Sequence, residues 1–196
     1  MRITVFDTET TGLDHNKHEI IELAFISFVY SDFGDRYRLK KFNSKINPQN
    51  IHSAEPEALA VNGYEESQWK DAPNFSEVYP DVFEALENSD LLMGQNLIFD
   101  LRFFKEMCVR DNLPVPEYSP YLDSKAVADR LVEEGWLEKS GLDYLCEHYK
   151  VKSTGRLHTA LVDCERTMEV WDKLQKDIGD EYEIYTFDKP YNRRRR

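Results

Sequence analysis

The chain has 196 residues, 41% of them hydrophobic, and a formal net charge of −12 at pH 7. Such a chain is long enough for one domain with a sizeable core, and its composition excludes global disorder. The longest apolar stretch, near Leu23 to Tyr30, is too short for a membrane span and contains Ser27, so no membrane association is expected. The acidic balance also argues against tight non-specific nucleic-acid binding, which Lys and Arg dominate; it leaves room for phosphate chemistry that works through captured cations. The N-terminus lacks a basic region followed by an apolar run and a cleavage site. Cys108, Cys146 and Cys164 are odd in number, widely spaced and form no C-x-x-C, so they read as reduced thiols of an intracellular, cytoplasmic protein.

In chain order, Arg2 to Phe6, Glu19 to Tyr30 and Arg36 to Ile46 read as strands rich in β-formers. Short connections, including Asp32-Phe33-Gly34-Asp35, favour an antiparallel meander. Glu55 to Ala60 reads as a short helix ended by Asn62-Gly63, and Phe75 to Leu86 as a helix that Pro80 should kink or shift. Leu91 to Met93 is a short buried strand, Phe99 to Arg110 a helix, and Tyr121-Leu122 a last short strand. Ser124 to Glu133, Leu142 to Tyr149 and Ala160 to Lys176 complete the helices. Strands first, then strands alternating with helices, predict an α/β fold with a mixed sheet. Residues 1–179 form the expected domain. Residues 180–196 form a C-terminal tail without clear pattern that ends in Arg193 to Arg196. The basic cluster Arg36, Arg38, Lys40, Lys41 and Lys45 suits an exposed edge strand.

The chemistry concentrates in three places. In FDTETTGLD, residues 6–14, Asp7 and Glu9 stand at i and i+2 of a strand and share a face. Two carboxylates that close repel unless a cation sits between them. In GQNLIFD, Asp100 falls in the first turn of a helix, where a carboxylate suits the positive end of the dipole. In RLHTALVD, His158 and Asp163 are five residues apart, about 140° on a continuous helix. They converge only if Asp163 lies on the helix and His158 on the loop before it, which Lys152-Ser153-Thr154-Gly155 permits. The remaining histidines, His15, His18, His52 and His148, read as surface or core residues.

The three motifs in order, FDTETTGLD, QNLIFD and HTALVD, resemble those of the DEDDh group of DnaQ-like 3′→5′ exonucleases, whose fold is RNase H-like. The resemblance covers roughly residues 2 to 177. The H-x4-D spacing separates this group from the version with Y-x3-D; many members carry His where this chain has Gln95. YLDSKAVADRL and SGLDYLCEHYKV resemble the usual lead-in to the third motif. The resemblance implies a five-stranded mixed sheet flanked by helices, and a site for two divalent cations, Mg²⁺ with Mn²⁺ as substitute. Asp7 would bridge the ions, Glu9 and Asp163 would complete the water-activating site, and Asp100 would hold the second ion. His158 would be the general base. Thr8, Thr10, Thr11 and Gly12 would form the turn after the strand and meet the 3′ nucleotide through backbone N–H groups. Leu13 would wedge against the last base and Phe99 would stack on its neighbour; for both the alternative is ordinary core packing. Asn62 and Asn96 are further candidate substrate contacts. The implied substrate is a single-stranded 3′ end, DNA before RNA. A 3′→5′ exoribonuclease is one alternative, and a proofreading subunit docked to a polymerase through residues 180–196, with Tyr182, Tyr185, Phe187 and Tyr191, is another.

Overall fold

The computed structural model describes residues 1–31, 35–152 and 155–190. Residues 32–34 of the expected turn, Ser153 and Thr154 of the expected loop, and Tyr191 with Arg193 to Arg196 lie outside the described residues. Strands β1 (Arg2–Thr10), β2 (Ile20–Tyr30), β3 (Arg36–Lys45), β4 (Leu91–Gly94) and β5 (Tyr121–Asp123) form one sheet in the order β3-β2-β1-β4-β5. The first three pair antiparallel as a meander, and β4 and β5 join parallel. This is the mixed, helix-flanked sheet of the RNase H-like fold. The helices are α1 (Pro56–Asn62), α2 (Glu66–Trp69), α3 (Phe75–Glu87), α4 (Leu97–Arg110), α5 (Ser124–Glu133), α6 (Leu142–His148) and α7 (Ala160–Ile178).

The two-residue period of the strands divides the core into two layers. Phe6, Leu23 and Phe25 pack with Phe75, Val82, Phe103 and Phe104 of α3 and α4. Ile3, Val5, Ala24, Ile26 and Phe28 pack on the other face with Val127, Leu145, Cys164, Val170 and Trp171 of α5, α6 and α7. All three cysteines are free and buried. Helix α3 runs unbroken through Pro80, which is exposed. Gly63 ends α1 in the left-handed region at φ 61°, a conformation that glycine adopts without steric cost. Strand β3 is a sheet edge, and its bases reach acids of the helices: Arg36 pairs with Asp172, Lys40 with Asp81 and Lys41 with Glu165.

The segment after α7 is packed on the body. Tyr185 forms an antiparallel bridge with Tyr121 on the β5 edge, with both N–H···O distances 2.8 Å. Tyr182 meets Trp171 edge-on at 5.1 Å, and Phe187 lies 5.0 Å from Tyr118. These contacts occupy an otherwise open strand edge. Deleting residues 180–196 should therefore lower Tm by roughly 5–10 °C, from about 2–3 kcal/mol of lost aromatic packing. A thermal melt checks this, and an unchanged Tm would show the segment to be dispensable.

Candidate active site

Strand β1 carries the site. Its odd-numbered residues Ile3 and Val5 face α7, and Asp7 and Glu9 continue that row beyond the apolar layer. The strand extends to Thr10, so Thr8 and Thr10 belong to β1 and only Thr11 and Gly12 follow it. This corrects the expected four-residue turn: pairing with β2 persists through Thr10↔Ile20 past an irregularity at Glu9/Thr10. Asp163, in the first turn of α7, comes down on the same face. Asp7, Glu9 and Asp163 each offer an oxygen, and these atoms lie within 4.8 Å of one another. Three converging carboxylates form the donor set a hard divalent cation takes, so the residues fit such an ion.

Asp100 approaches from the opposite layer. Its Oδ1 accepts from the Thr8 N–H at 2.9 Å and the Thr8 hydroxyl at 2.6 Å, and it stands outside the three-carboxylate cluster. The Thr8 amide is thereby committed to Asp100, and the Thr11 amide to Glu19; neither is the bare donor the motif suggested. His158 precedes α7 with φ 57°, on the loop, while Asp163 is on the helix. The histidine is half-exposed, with Nε2 3.9 Å from Asp143 Oδ2.

The electrostatics follow from burial that nearby arginines offset only in part. Burial, and then Asp100, Glu9 and Asp163, hold the Asp7 carboxyl well above the usual range. Burial, then Asp163 and Glu22, push Glu9 up to about 8, and burial raises Asp100 to about 7 against its bonds from Thr8. Asp163 is raised by burial and eased by Arg166.

Beside the cluster lies an open groove of about 340 Å³, lined among others by Thr8, Thr10, Gly12, Leu13, Asn62 and Phe99. Leu13 is 75% exposed, which removes the core reading for it. Phe99 is half-buried, 4.7 Å from Phe103, and serves both the core edge and the groove. Asn62 is buried, and its Nδ2 donates to the Thr10 carbonyl at 2.8 Å, holding the end of β1. Asn96 does not line the groove. It sits at φ 67° before α4, where its N–H and that of Leu97 bond to Asp123. At Gly12 a Cβ would fall 2.3 Å from His18 Nδ1, so glycine is needed there for the buried His18 ring.

Four charged residues near the site escaped the motif reading. Glu22 is buried directly opposite Glu9. Its signal was a single acid inside the apolar run IIELAFISF. Arg156 acts on both Glu9 and Glu22, and its guanidinium fills the space a side chain at Gly63 would need. Arg166 bonds Asp163 and Asp143; its spacing of i+3 from Asp163 was the available clue.

The profile of the RNase_T family, described as "Exonuclease", matches residues 4–171. The DNA polymerase III subunit epsilon of Rickettsia conorii is 32% identical over 179 residues, covering 89% of this chain and 74% of that protein. The subunit of the same name from Buchnera aphidicola subsp. Schizaphis graminum is 30% identical over 171 residues, covering 83% and 69%. The nuclease domain of 3'hExo, a DEDDh family member bound to rAMP, has the same fold with a TM-score of 0.72 at 17% identity, over 93% of this chain and 95% of that one. Exonuclease X in complex with 5' overhanging duplex DNA superposes with a TM-score of 0.65 at 21% identity, over 95% and 96%. The chain belongs to the DnaQ-like DEDDh 3′→5′ exonuclease family of the RNase H-like superfamily. At the family level that means hydrolase activity on nucleic acids. Among the described residues no helix is long and apolar enough to cross a membrane.

The raised carboxylates make a stability prediction. Folded Glu9 titrates near 8 against an ordinary 4.5, and Asp100 near 7 against 3.8. Between those limits the folded chain holds more protons than the unfolded one, so stability falls as pH rises. Without metal, Tm should drop between about pH 5 and about pH 8, and Mg²⁺ should raise it more at the upper end, where the carboxylates are charged. Melts with EDTA and with Mg²⁺ measure both; a Mg²⁺ effect independent of pH would contradict the coupling.

Proposed function

We propose that this protein is a divalent-metal-dependent exonuclease that removes nucleotides one at a time from single-stranded 3′ ends, DNA in preference to RNA, releasing nucleoside 5′-monophosphates. The observation that carries the reading is the convergence of Asp7, Glu9 and Asp163 beside a groove rimmed by exposed Leu13 and Phe99. Asp7, Glu9 and Asp163 would hold one Mg²⁺ or Mn²⁺ ion, and Asp100 would help to hold a second. When bound, the pair supplies positive charge for both the attacking and the leaving oxygen of the phosphodiester. His158, on the loop at the rim, takes the proton of the attacking water as general base. Leu13 wedges against the terminal base and Phe99 stacks on the next one. Contacts of that kind read the end of a strand and not its sequence. The names of the relatives, subunits of a DNA polymerase, support DNA as the substrate.

Those same names favour a second reading, an editing subunit that docks to a polymerase. The tail considered for docking spends Tyr182, Tyr185 and Phe187 on the body of this chain. A docked polymerase would then use another surface.

The test is a degradation ladder on 5′-labelled single-stranded DNA and on RNA of the same sequence, with Mg²⁺, with Mn²⁺ and with EDTA. Stepwise shortening from the 3′ end, faster on DNA and absent with EDTA or in Asp7→Ala, is expected. His158→Ala should lower kcat roughly 10²–10⁴-fold. Faster loss of RNA would move the assignment to an exoribonuclease, and no degradation of either would sink the nuclease. Leu13→Ala should raise KM while leaving Tm unchanged, because the side chain is exposed.

A further inference from the structure

Arg166 is buried one turn beyond Asp163 on α7, and each nitrogen of its guanidinium makes a hydrogen bond. Nη1 donates to Asp163 Oδ1 at 2.8 Å, Nη2 to Asp143 Oδ1 at 2.5 Å, and Nε to Cys146 Sγ at 3.2 Å. Arginine cannot shed its charge, so in the interior it needs carboxylates placed to match its fork. Asp163 is one. The other, Asp143, lies in the first turn of α6 with its side chain 62% exposed. Its free oxygen, Oδ2, is the atom 3.9 Å from His158 Nε2. One chain of neighbouring side chains thus runs Asp163–Arg166–Asp143–His158, from the acidic cluster to the histidine at its rim.

We propose that Asp143 is a positioning residue: Arg166 fixes its carboxylate, and that carboxylate orients the His158 imidazole for proton transfer. The inference rests on the exonuclease reading with His158 as base. Its physical content is simple. His158 sits on a loop in a left-handed conformation, and α7 begins only after it. A carboxylate beside one ring nitrogen favours the tautomer with the proton there, leaving the opposite nitrogen free to accept one. Because the same guanidinium holds Asp163, the base and a residue of the acidic cluster are referenced to one rigid group. A surface ion pair would hold its partner loosely and be worth little; Asp143 differs in being pinned by a buried, doubly bonded arginine.

The test is a double-mutant cycle. Asp143→Ala should lower kcat roughly ten- to a hundredfold with KM unchanged, and should have no further effect in a His158→Ala background. Asp143→Asn, which keeps an oxygen for Arg166 but loses the charge, should also lower kcat, by more than any fall in Tm accounts for. An equal loss in both backgrounds, or a loss that simply follows a fall in Tm, would overturn the proposal. A second readout needs no turnover: in metal-free protein, the ¹⁵N resonances of the His158 ring should move in Asp143→Ala while those of His52 stay put. Unmoved His158 resonances overturn the proposal whatever the kinetics. An inactive wild type whose His158 resonances do respond would instead sink the exonuclease reading and leave the Asp143–His158 contact standing.

Discussion

The constraint on which the rest depends is the mutual repulsion of carboxylates that the fold has taken out of water. Asp7, Glu9 and Asp163 bring oxygens within 4.8 Å of one another, with Glu22 across the strand pair from Glu9 and Asp100 arriving from the other layer. A buried carboxylate without a counter-charge is costly and answers by holding its proton, which is what the raised Asp7, Glu9 and Asp100 do. The local counter-charges are partial. Arg166 serves Asp163, and Arg156 leans toward Glu9 and Glu22, but neither stands between Asp7 and Glu9. The site is therefore poised for a cation, and cation binding and proton release are two sides of one equilibrium.

The architecture makes this arrangement possible by ending two layers at one place. β1 is an interior strand, paired with β2 on one side and β4 on the other, so its position is held from both edges. One face receives α7 and the other α4, and each helix delivers an aspartate in its first turn. The Thr8 amide and hydroxyl clasp Asp100, while Asn62 ties α1 to the end of β1 and shapes the groove wall. The apolar rows Ile3–Val5 and Leu23–Phe25 anchor these layers, which lets the polar row beyond them be placed closely.

Much of this was legible in the chain, because the strands and most helices announce themselves by period. The order of Asp7, Glu9, Asp100, His158 and Asp163 pointed to their family, and Asp7, Glu9 and Asp163 do meet. What stayed hidden depends on register and on partners distant in sequence. The continuation of β1 through Thr8 and Thr10 is decided by pairing with β2, which propensity in TETTG cannot announce. Gly12 lines the groove, and the pattern TTGL did not announce that it also makes room for His18. Asn62 lines the groove and also braces a strand end, a role that depends on a partner fifty-two residues away. The aromatic residues of 180–190 showed no period because their partners are scattered: Trp171 on α7, Tyr121 on β5 and Tyr118 in the loop before β5.

The most direct test of the central claim is calorimetric. Metal-free protein is titrated with Mn²⁺ in two buffers of different ionisation enthalpy, near pH 7.5, beside Asp7→Asn. The wild type should bind with release of about one proton or more, seen as a buffer-dependent heat, and the variant should lose that binding. Absence of binding, or equal binding by Asp7→Asn with no proton released, would contradict it.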